Sequence, residues 1–413
     1  MRFLYLVFSL ILCCQVSCSE TSKEIKIGFV EGLSGPFANI GEVALRHLEL
    51  EVEAVNRRGS LPDGMRITVL PFDNKTNPQE ALLAFRSALD VGVDYVFQGN
   101  SSSVATALTD AIAKHNRRNP SHPVLFINYA ALDPALTNEH CKRSHFRFDA
   151  DVDMKMAALT EYIAVREDIE SVYLINQDYS YGQAVAGAAR SMLKQKRPDL
   201  SIVGDDLHPL GKVKDFAPYI AKIRATGADS VITANWGADL ALLVKAAKDS
   251  GVDVDFYTYY AGLAGGPTAI GEAGIDRVKQ VGQWHVNVGG AKSDAVVESY
   301  RGRYPENNDD LFFITLKYGM ELLAQSIDKA GSTDALSVAR ELEQGRYEAV
   351  TGEVWIRPDN HQLMQPLYVS TFKKTGEEGV RYEVELTGTG PKTDFVVSAE
   401  DTTLPTTCNM DRP

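Results

Sequence analysis

The 413-residue sequence predicts an α/β protein made of two lobes of comparable size. Short apolar, β-prone segments alternate with amphipathic helical segments, which is typical of βαβ units and of a mostly parallel sheet. This alternation runs through the first part of the chain and then repeats, with no low-complexity linker between the two parts. The length also exceeds what one ordinary hydrophobic core accommodates and indicates two or three domains.

In the first part of the chain, strands alternate with three helices. The first helix carries Leu45, Leu48 and Val52 on one face, so it is amphipathic and is expected to cover a sheet. The next two helices are expected at Glu80–Ala88 and Val104–His115. The strands are expected at Ile25–Val30, Met65–Pro71, Val93–Phe97 and Val124–Ile127.

The second part repeats this pattern and adds elements that return along the chain. Its strands are expected at Ser171–Asn176, Ser201–Asp205, Ser230–Ala234 and Val254–Tyr260. Its helices are expected from near Gln183, at Phe216–Ala225 and at Leu240–Ala247, and the returning helices at Ser293–Tyr304 and Leu311–Lys329. A hairpin of Glu353–Ile356 and Pro366–Phe372 is expected across Asp359–Gln362.

Composition and charge narrow the class of protein. Apolar residues make up 44% and charged residues 23% of the chain, which is ordinary for a soluble globular protein. The formal net charge of −13 disfavours nucleic-acid binding, because that would need a basic face and no region gathers enough Lys and Arg.

The amino terminus has the pattern of a secretory signal peptide over residues 1–19. Arg2 precedes the apolar run Phe3–Leu12, and small residues lead to a cut after Ser19. The run is too short to span a bilayer, so the mature chain is expected to be exported to the periplasm and soluble. A lipid anchor on Cys18 is the alternative, although Gln15 stands where an aliphatic residue would be expected.

Two cysteines remain beyond this leader, Cys141 and Cys408. In an oxidising compartment an isolated pair is most simply a disulfide, here one that ties the end of the chain to its middle. Two free buried thiols are the alternative. His140, Cys141 and His145 lack a second Cys/His pair, so no metal site is expected.

The sequence has none of the motifs that mark common catalytic or cofactor sites. It contains no Gly-x-Ser-x-Gly, no His-Glu-x-x-His, no phosphate loop and no Cys-x-x-Cys. We therefore expect no catalytic residues, no enzymatic activity and no cofactor.

Polar residues gather where the predicted strands end. Ser101–Ser103 stand between a buried strand and a helix, where free N–H groups and the helix dipole favour an anion, or where one serine is only a cap. In open α/β sheets, ligands bind beyond the carboxyl ends of the strands. The other residues at such ends are Ser34, Gly35, Phe37, Asn100, Asn128 to Ala131, Asp178 to Tyr181, Asn235, Trp236, Tyr259 and Tyr260.

The chain resembles the periplasmic binding proteins of the leucine/isoleucine/valine type, the receptors of ABC importers. The pieces that match run in family order over about Glu24–Phe372. They are Ile25-Lys-Ile-Gly-Phe with Leu33-Ser-Gly-Pro36, the Asp73 to Asn77-Pro78 turn, Tyr95-Val-Phe with Ser101-Ser-Ser103, Ala130-Ala131 with Pro134-Ala-Leu-Thr137, and Tyr181-Gly182. The resemblance implies two Rossmann-like lobes joined by a three-crossover hinge, with a ligand cleft between them.

The resemblance also implies a domain division and partners. The first lobe would comprise residues 24–148 plus 286–352, the second residues 149–285 plus 353–385, and residues 386–413 would form a tail. The partners would be a small-molecule ligand and the membrane permease and ATPase subunits of an importer, and the protein would be a monomer. A ligand sensor or regulator on the same fold is the alternative.

Carried over residue by residue, the resemblance keeps part of an amino-acid site. Ser101 and Ala130 match residues that grip the ligand carboxylate, whereas the family threonine falls on Leu132, which has no hydroxyl. The family tyrosine and glutamate that hold the ammonium fall on Trp236 and near Tyr260, where no acid is present. A buried ammonium without a carboxylate would be poorly compensated.

We therefore expect an amino-acid-like ligand or an aromatic or aliphatic carboxylate, with a polar head and an apolar or aromatic body. Flat contact area is expected from five aromatic residues, each of which has ordinary core packing as its alternative: Phe37, Tyr129, Tyr181, Trp236 and Tyr260. Ser102 and Ala131 complete the predicted ligand-binding set as neighbours of Ser101 and Ala130.

Overall fold

The computed structural model describes residues 24–305 and 309–410. The predicted leader Phe3–Leu12, with its cut after Ser19, lies outside the described residues. Within them the strands form a five-stranded, a seven-stranded and a small three-stranded sheet.

The first sheet is entirely parallel and has the strand order β2-β1-β3-β4-β5. Its strands are β1 (Glu24–Glu31), β2 (Arg66–Asp73), β3 (Tyr95–Gln98), β4 (Leu125–Asn128) and β5 (His145–Arg147). The helices between them are α1 (Ala38–Arg58), α2 (Pro78–Asp90) and α3 (Ser102–Arg118). All four residues of β3 and of β4 are buried, as expected for inner parallel strands covered on both faces.

The second sheet begins with a parallel core of the same kind. Its strands are β6 (Ser171–Gln177), β7 (Ser201–His208), β8 (Ser230–Thr233), β9 (Asp255–Thr258) and β10 (Val278–Gly282). They alternate with α4 (Val152–Ala164), α5 (Ser180–Lys196), α6 (Ala217–Thr226), α7 (Ala238–Asp249) and the short α8 (Gly266–Ile270). Asp151 starts α4, because its carboxylate accepts the Met154 N–H at 2.9 Å.

The chain then returns to the first lobe. Ion pairs between Lys317 and Glu51 and between Arg58 and Glu321, each at 2.9 Å, join the returning part to α1. Its helices are α9 (Ala291–Arg303), α10 (Ile314–Ala330) and α11 (Ala335–Leu342). The three-stranded antiparallel sheet follows, with β11 (Arg346–Ala349), β12 (Gly352–Ile356) and β13 (Leu363–Met364).

The predicted hairpin of Glu353–Ile356 with Pro366–Phe372 is wrong. β12 pairs with β13, whereas β14 (Leu367–Lys374) lies in the second sheet between β10 and β15 (Thr389–Val397). The connecting segment cannot turn back, because the Gln365 side chain donates to the Phe148 carbonyl at 2.7 Å and holds the segment where the lobes meet.

The predicted tail over residues 386–413 contains β15, which pairs antiparallel with β14 along its length. The hydrophobicity pattern does not indicate this strand, because it contains Pro391, Lys392 and Asp394. These residues are tolerated because β15 is an edge strand.

Over residues 24–305 and 309–410 the chain crosses between the lobes three times: after β5, between β10 and α9, and between β13 and β14. The predicted fold class of two α/β lobes with a three-crossover hinge is therefore confirmed. β11, β12 and β13 form one sheet, so the chain stays in the first lobe until β13. The third crossing therefore comes later than the predicted boundary at residues 352/353. The other lobe boundaries stay a prediction.

Candidate functional site

A cavity lies between the lobes, where strands of both sheets end. The space between its walls, part of which is open to solvent, is about 340 Å³. This is the place that the strand order of an open α/β sheet favours for a ligand. The lining comes from both lobes and consists of Gly99, Asn100, Ser101, Ser102, Ala130, Leu132, Tyr179, Tyr181, Trp236, Tyr260, Leu263 and Phe313.

Six of the nine residues predicted to bind the ligand line this cavity: Ser101, Ser102, Ala130, Tyr181, Trp236 and Tyr260. Phe37, Tyr129 and Ala131 do not. Phe37, the residue before α1, packs against Trp236 with the ring centroids 4.3 Å apart and the rings tilted by 33°, and so closes the rim. Tyr129 packs behind the cavity, and the Ala131 N–H donates to the Asn128 side chain at 2.8 Å, which shapes the loop after β4.

The first-lobe wall is the segment between β3 and α3. Gly99 must be a glycine, because a Cβ there would lie 2.7 Å from the Tyr129 ring. Ser101 has a φ of +87°, a strained backbone for a residue other than glycine. The Ser101 hydroxyl lies 2.9 Å from the Ser103 hydroxyl. Because α3 begins at Ser102, the first N–H groups of the helix face the cavity end.

The side chain of Asn100 brings a further donor to this wall. Its Nδ2 is buried and has no hydrogen-bond partner among the described residues. The Asn100 carbonyl accepts the Gln98 side-chain N–H at 2.7 Å, which fixes the backbone of the loop. Asn100 therefore presents an unused amide at the same end of the cavity as Ser101.

Tyr181 and Tyr179 line the second-lobe wall beside Trp236. The Trp236 indole N–H donates to the Tyr179 hydroxyl at 2.9 Å. The Tyr181 side chain is 2% exposed, and its hydroxyl has no partner within the part of the chain that the structure describes. Burial raises the pKa of both tyrosines above its ordinary value, so both hydroxyls stay protonated and able to donate.

Contacts between the lobes close the cavity. The Tyr260 hydroxyl of the second lobe donates to the Ala130 carbonyl of the first lobe at 2.8 Å. The Asn39 side chain donates across the rim to the Ala264 carbonyl at 3.0 Å. The structure is therefore that of a closed, two-walled site.

No acidic or basic side chain is present among the twelve described lining residues. Behind Tyr260, Lys155 and Asp149 form an ion pair at 3.0 Å. The Lys155 ammonium is 5.0 Å from the centre of the Tyr260 ring, so the ring separates it from the cavity. Burial raises the pKa of Asp149 and lowers the pKa of Lys155, and each partner opposes that shift in the other.

This ion pair belongs to a larger buried group at the crossovers. We call it the crossover cluster: Arg147, Asp149, Asp151, Lys155 and Gln362. The Arg147 guanidinium donates to the Asp133 carbonyl at 2.6 Å, to the Asp151 carboxylate at 2.8 Å and to the Gln362 side chain at 2.6 Å. It also donates to the Thr137 hydroxyl. The cluster thus joins the first and third crossovers to the loop after β4.

The predicted disulfide is confirmed, because Cys141 and Cys408 are bonded with their Cα atoms 5.7 Å apart. Next to it, the Thr406 hydroxyl donates to the Thr137 carbonyl at 3.0 Å. The C-terminal segment therefore supports the loop that continues from Ala130. His145 of the rejected metal cluster is buried against the Asn128 side chain at 3.2 Å.

Six lining residues were not in the predicted ligand-binding set: Gly99, Asn100, Leu132, Tyr179, Leu263 and Phe313. Tyr179 follows a predicted strand within the set Asp178 to Tyr181, and this place at a strand end was the signal that could have singled it out. Phe313 precedes α10, in the part of the chain that returns to the first lobe. No local sequence pattern predicts that it lines the cavity.

Residues 24–377 match the family model described as periplasmic binding protein. A relative from Brucella melitensis, the Leu/Ile/Val-binding protein homolog 4, is 29% identical over 406 residues, which cover 96% of this chain and 95% of the relative.

Solved structures agree with this match. The leucine-, isoleucine-, valine-, threonine- and alanine-binding protein of Brucella ovis, in a closed conformation, is 27% identical with a TM-score of 0.84, over 95% of this chain and 100% of that one. A solute-binding protein of an ABC transporter from Rhodopseudomonas palustris BisB5, in complex with 3,4-dihydroxybenzoic acid, is 16% identical with a TM-score of 0.77, over 91% and 98%. At that identity the likeness shows the fold alone.

Proposed function

Because this chain belongs to the periplasmic binding protein family, we propose that it is the solute receptor of an ABC importer. The lobes close on a small organic solute, and the closed form delivers it to a membrane permease and its ATPase subunits. The observation that carries this proposal is the closed cavity between the lobes. Two of its polar groups, Asn100 Nδ2 and the Tyr181 hydroxyl, have no partner among the described residues, while hydrogen bonds fasten its rim.

The polar groups of the cavity favour a ligand that accepts hydrogen bonds. Asn100 Nδ2 and the Tyr181 hydroxyl are buried donors without partners among the described residues, and a buried donor left unpaired costs about 1–3 kcal/mol. The N–H groups at the start of α3 add a positive dipole end. A carboxylate near Ser101 satisfies these donors, and a second acceptor group on the ligand can meet Tyr181 from the other lobe.

The cavity disfavours an ammonium group. None of its described lining residues carries a carboxylate, and the Asp149 charge is already paired with Lys155 behind Tyr260. An ammonium enclosed here would lose its hydration without an anionic partner. We therefore propose an aromatic or aliphatic carboxylate without an α-ammonium, rather than a common amino acid.

The walls of the cavity favour a flat or apolar ligand body. Tyr260, Trp236 and Phe313 provide aromatic surface, and Leu132 stands where a hydroxyl would have served an amino-acid head group. The 3,4-dihydroxybenzoic acid held by the Rhodopseudomonas palustris neighbour has the same chemistry, a carboxylate on an aromatic ring with further acceptors.

We propose binding without catalysis. The lining contains serine hydroxyls, but no described histidine, lysine or carboxylate reaches the cavity to activate them. Recovery of a bound ligand unchanged after prolonged incubation supports this proposal, and any turnover of it contradicts the proposal.

We also propose an exported location, as a monomer in the periplasm. The bond between Cys141 and Cys408 supports an oxidising compartment. Over residues 24–305 and 309–410, no helix is long and apolar enough to cross a membrane.

A thermal-shift screen tests the ligand class. Carboxylic acids, amino acids and amides are added to the purified protein, which binds in its closed form. A ligand at a hundred times its dissociation constant adds ~2.7 kcal/mol to the free energy of unfolding and raises the melting temperature. We expect aromatic carboxylates such as 4-hydroxybenzoate to raise it, and a shift confined to leucine, isoleucine and valine would contradict the proposal.

A further inference from the structure

Glu31 is a fully buried acid directly behind the first-lobe wall of the cavity. It is the last residue of β1, and its side chain meets the loops that follow β1, β3 and β4. It does not line the cavity. A buried acid at this place needs an explanation, because transfer of a carboxylate out of water is costly unless hydrogen bonds compensate it.

Four donors converge on this carboxyl group. Oε1 accepts the Gly99 N–H at 2.6 Å, the Asn100 N–H at 2.8 Å and the Tyr129 hydroxyl at 2.7 Å. Oε2 accepts the Gly32 N–H at 3.0 Å. Gly99 and Asn100 line the cavity, and Tyr129 immediately precedes Ala130, so one side chain fixes both segments that form the first-lobe wall.

These bonds hold the residue that carries most of the strain in the site. Ser101 follows Asn100 and keeps a φ of +87°. Such a conformation costs of order 1–3 kcal/mol and persists only where the surroundings impose it. Because Glu31 binds the two amides just before Ser101, it sets the direction in which the Ser101 hydroxyl and the first N–H groups of α3 point.

The charge of Glu31 has a second consequence. A ligand carboxylate at Ser101 would lie on the other side of the same short loop, and two carboxylates that share a site cannot both ionise without mutual repulsion. The other titratable groups on the neighbouring elements cannot lower this repulsion by a change of their own charge. Tyr129 stays neutral, because burial and the Glu31 charge raise its pKa well above the ordinary value.

Asp73, at the end of β2 and level with Glu31 in the register, is already ionised. Burial opposes its ionisation, but the bonds that it accepts from the Ser34 hydroxyl and nearby N–H groups lower its pKa below the ordinary value. Because its pKa is lowered, Asp73 stays ionised near neutral pH. The fully buried Glu31 is therefore the group that can take up a proton when an anion enters.

We propose that Glu31 is a positioning residue that holds the wall between β3 and α3 and takes up a proton when a carboxylate ligand binds there. The positioning role stands on the structure, and the proton uptake rests on the proposed carboxylate ligand. Burial raises the pKa of Glu31 from 4.5 to about 7, against the four hydrogen bonds. The uptake is therefore available near neutral pH.

Three variants separate the two roles of Glu31. Glu31→Gln removes the charge and keeps an acceptor for Gly99 and Asn100, whereas Glu31→Ala removes both. Glu51→Gln is the matched control, because Glu51 is also a buried acid of the first lobe but is paired with Lys317 away from the cavity.

Calorimetry with 4-hydroxybenzoate measures the proton uptake, and uncharged 4-hydroxybenzamide is the control probe. In the wild type and in Glu51→Gln, we expect 4-hydroxybenzoate affinity to fall up to about tenfold per pH unit above pH 7, with proton uptake that shows as a dependence on buffer ionisation enthalpy. In Glu31→Gln the pH dependence disappears and affinity at pH 8 rises. In Glu31→Ala the affinity for 4-hydroxybenzoate falls at every pH. The affinity of the wild type for uncharged 4-hydroxybenzamide does not change with pH in this way.

A measurement without ligand keeps the outcomes separate. The backbone amide resonances of Gly99 and Asn100 are followed from pH 5.5 to 8.5 in the free wild-type protein. We expect both to titrate with a midpoint near pH 7, and not to do so in Glu31→Gln if that variant folds.

Absence of this inflection in the wild type overturns the inference about Glu31, whatever binds. If the resonances titrate but 4-hydroxybenzoate does not bind, the proposed ligand class is wrong and the proton uptake on binding is overturned with it, while the positioning role survives. If 4-hydroxybenzoate binds with equal affinity at pH 6 and pH 8, the proton uptake alone is overturned.

Discussion

The crossover cluster and the cavity lie side by side between the same two lobes, yet they use polar groups in opposite ways. In the cluster, charges are buried and paired: Arg147 with Asp151, and Lys155 with Asp149. In the cavity the described lining has no charge, and two buried donors, on Asn100 and Tyr181, have no partner. A single phenolic ring, that of Tyr260, separates the two regions.

This difference indicates what each region does. Paired buried charges tolerate few arrangements, so the cluster fixes the crossovers about which the lobes are connected. Unpaired donors disfavour the empty closed state, so the cavity gains most from a ligand that brings acceptors. Structural polar groups are satisfied within the protein, and ligand-binding groups are left to be satisfied from outside.

The largest expected effect is on the crossover cluster. Arg147→Met leaves the Asp151 carboxylate and the Asp133 carbonyl without their buried partner, and we expect a loss of about 3–5 kcal/mol in the free energy of unfolding. Urea unfolding followed by circular dichroism measures it. Arg190→Met removes an exposed pair with Asp205 and is the control, with an expected loss below about 1 kcal/mol. Equal losses in the two variants would show that the cluster has no special role.

The next effect is a pH dependence that comes from Glu31. Its pKa is about 7 in the folded protein and 4.5 ordinarily, so its contribution to stability is fully present below pH 4.5 and is lost as the pH rises through 7. The wild type should therefore lose roughly 3 kcal/mol relative to Glu31→Gln between pH 4.5 and pH 8. Parallel stability curves for the two proteins over this range would contradict the assignment.

A smaller effect is expected at the unpaired hydroxyl of the cavity. Tyr181→Phe removes a donor that has no partner among the described residues, so stability without ligand should change by less than about 1 kcal/mol. Affinity for 4-hydroxybenzoate should fall by about two- to tenfold, because a hydrogen bond to the neutral second acceptor of the ligand is worth about 0.5–1.5 kcal/mol.

The matched control for this variant is Tyr257→Phe. Tyr257 also has a buried hydroxyl without a partner in the described chain, but it does not line the cavity. Calorimetry should show unchanged affinity in that variant. A loss of affinity in Tyr257→Phe as large as in Tyr181→Phe would remove the distinction between structural and ligand-binding hydroxyls.

The sequence was sufficient to predict the fold class and the place of the cavity, because both follow from where parallel strands end. Ser101, Trp236 and Tyr260 could be identified from that rule together with the family resemblance. Tyr129 could not be separated from Ala130 in this way, since neighbouring residues at a strand end point to opposite sides. The orientation of Tyr129 is decided by Glu31 and Gly99, which no local pattern connects to it.

The errors have a common physical origin. The predicted hairpin failed where a long-range contact overrides local pattern, because Gln365 binds the Phe148 carbonyl. The crossover cluster was not foreseen either, because Arg147 and Gln362 meet only in the folded chain. Pairings over such distances in sequence leave no periodic signal.

The most direct test of the cavity's chemistry is to compare each of two amino acids with the same acid lacking the ammonium group. Calorimetric titration of 3-phenylpropanoate against phenylalanine, and of 4-methylpentanoate against leucine, changes nothing but that group. We expect each desamino acid to bind at least about a hundredfold more tightly, since the lining offers donors and no carboxylate. If either amino acid binds as tightly as its desamino counterpart, the cavity accommodates an ammonium and the proposed ligand class is wrong.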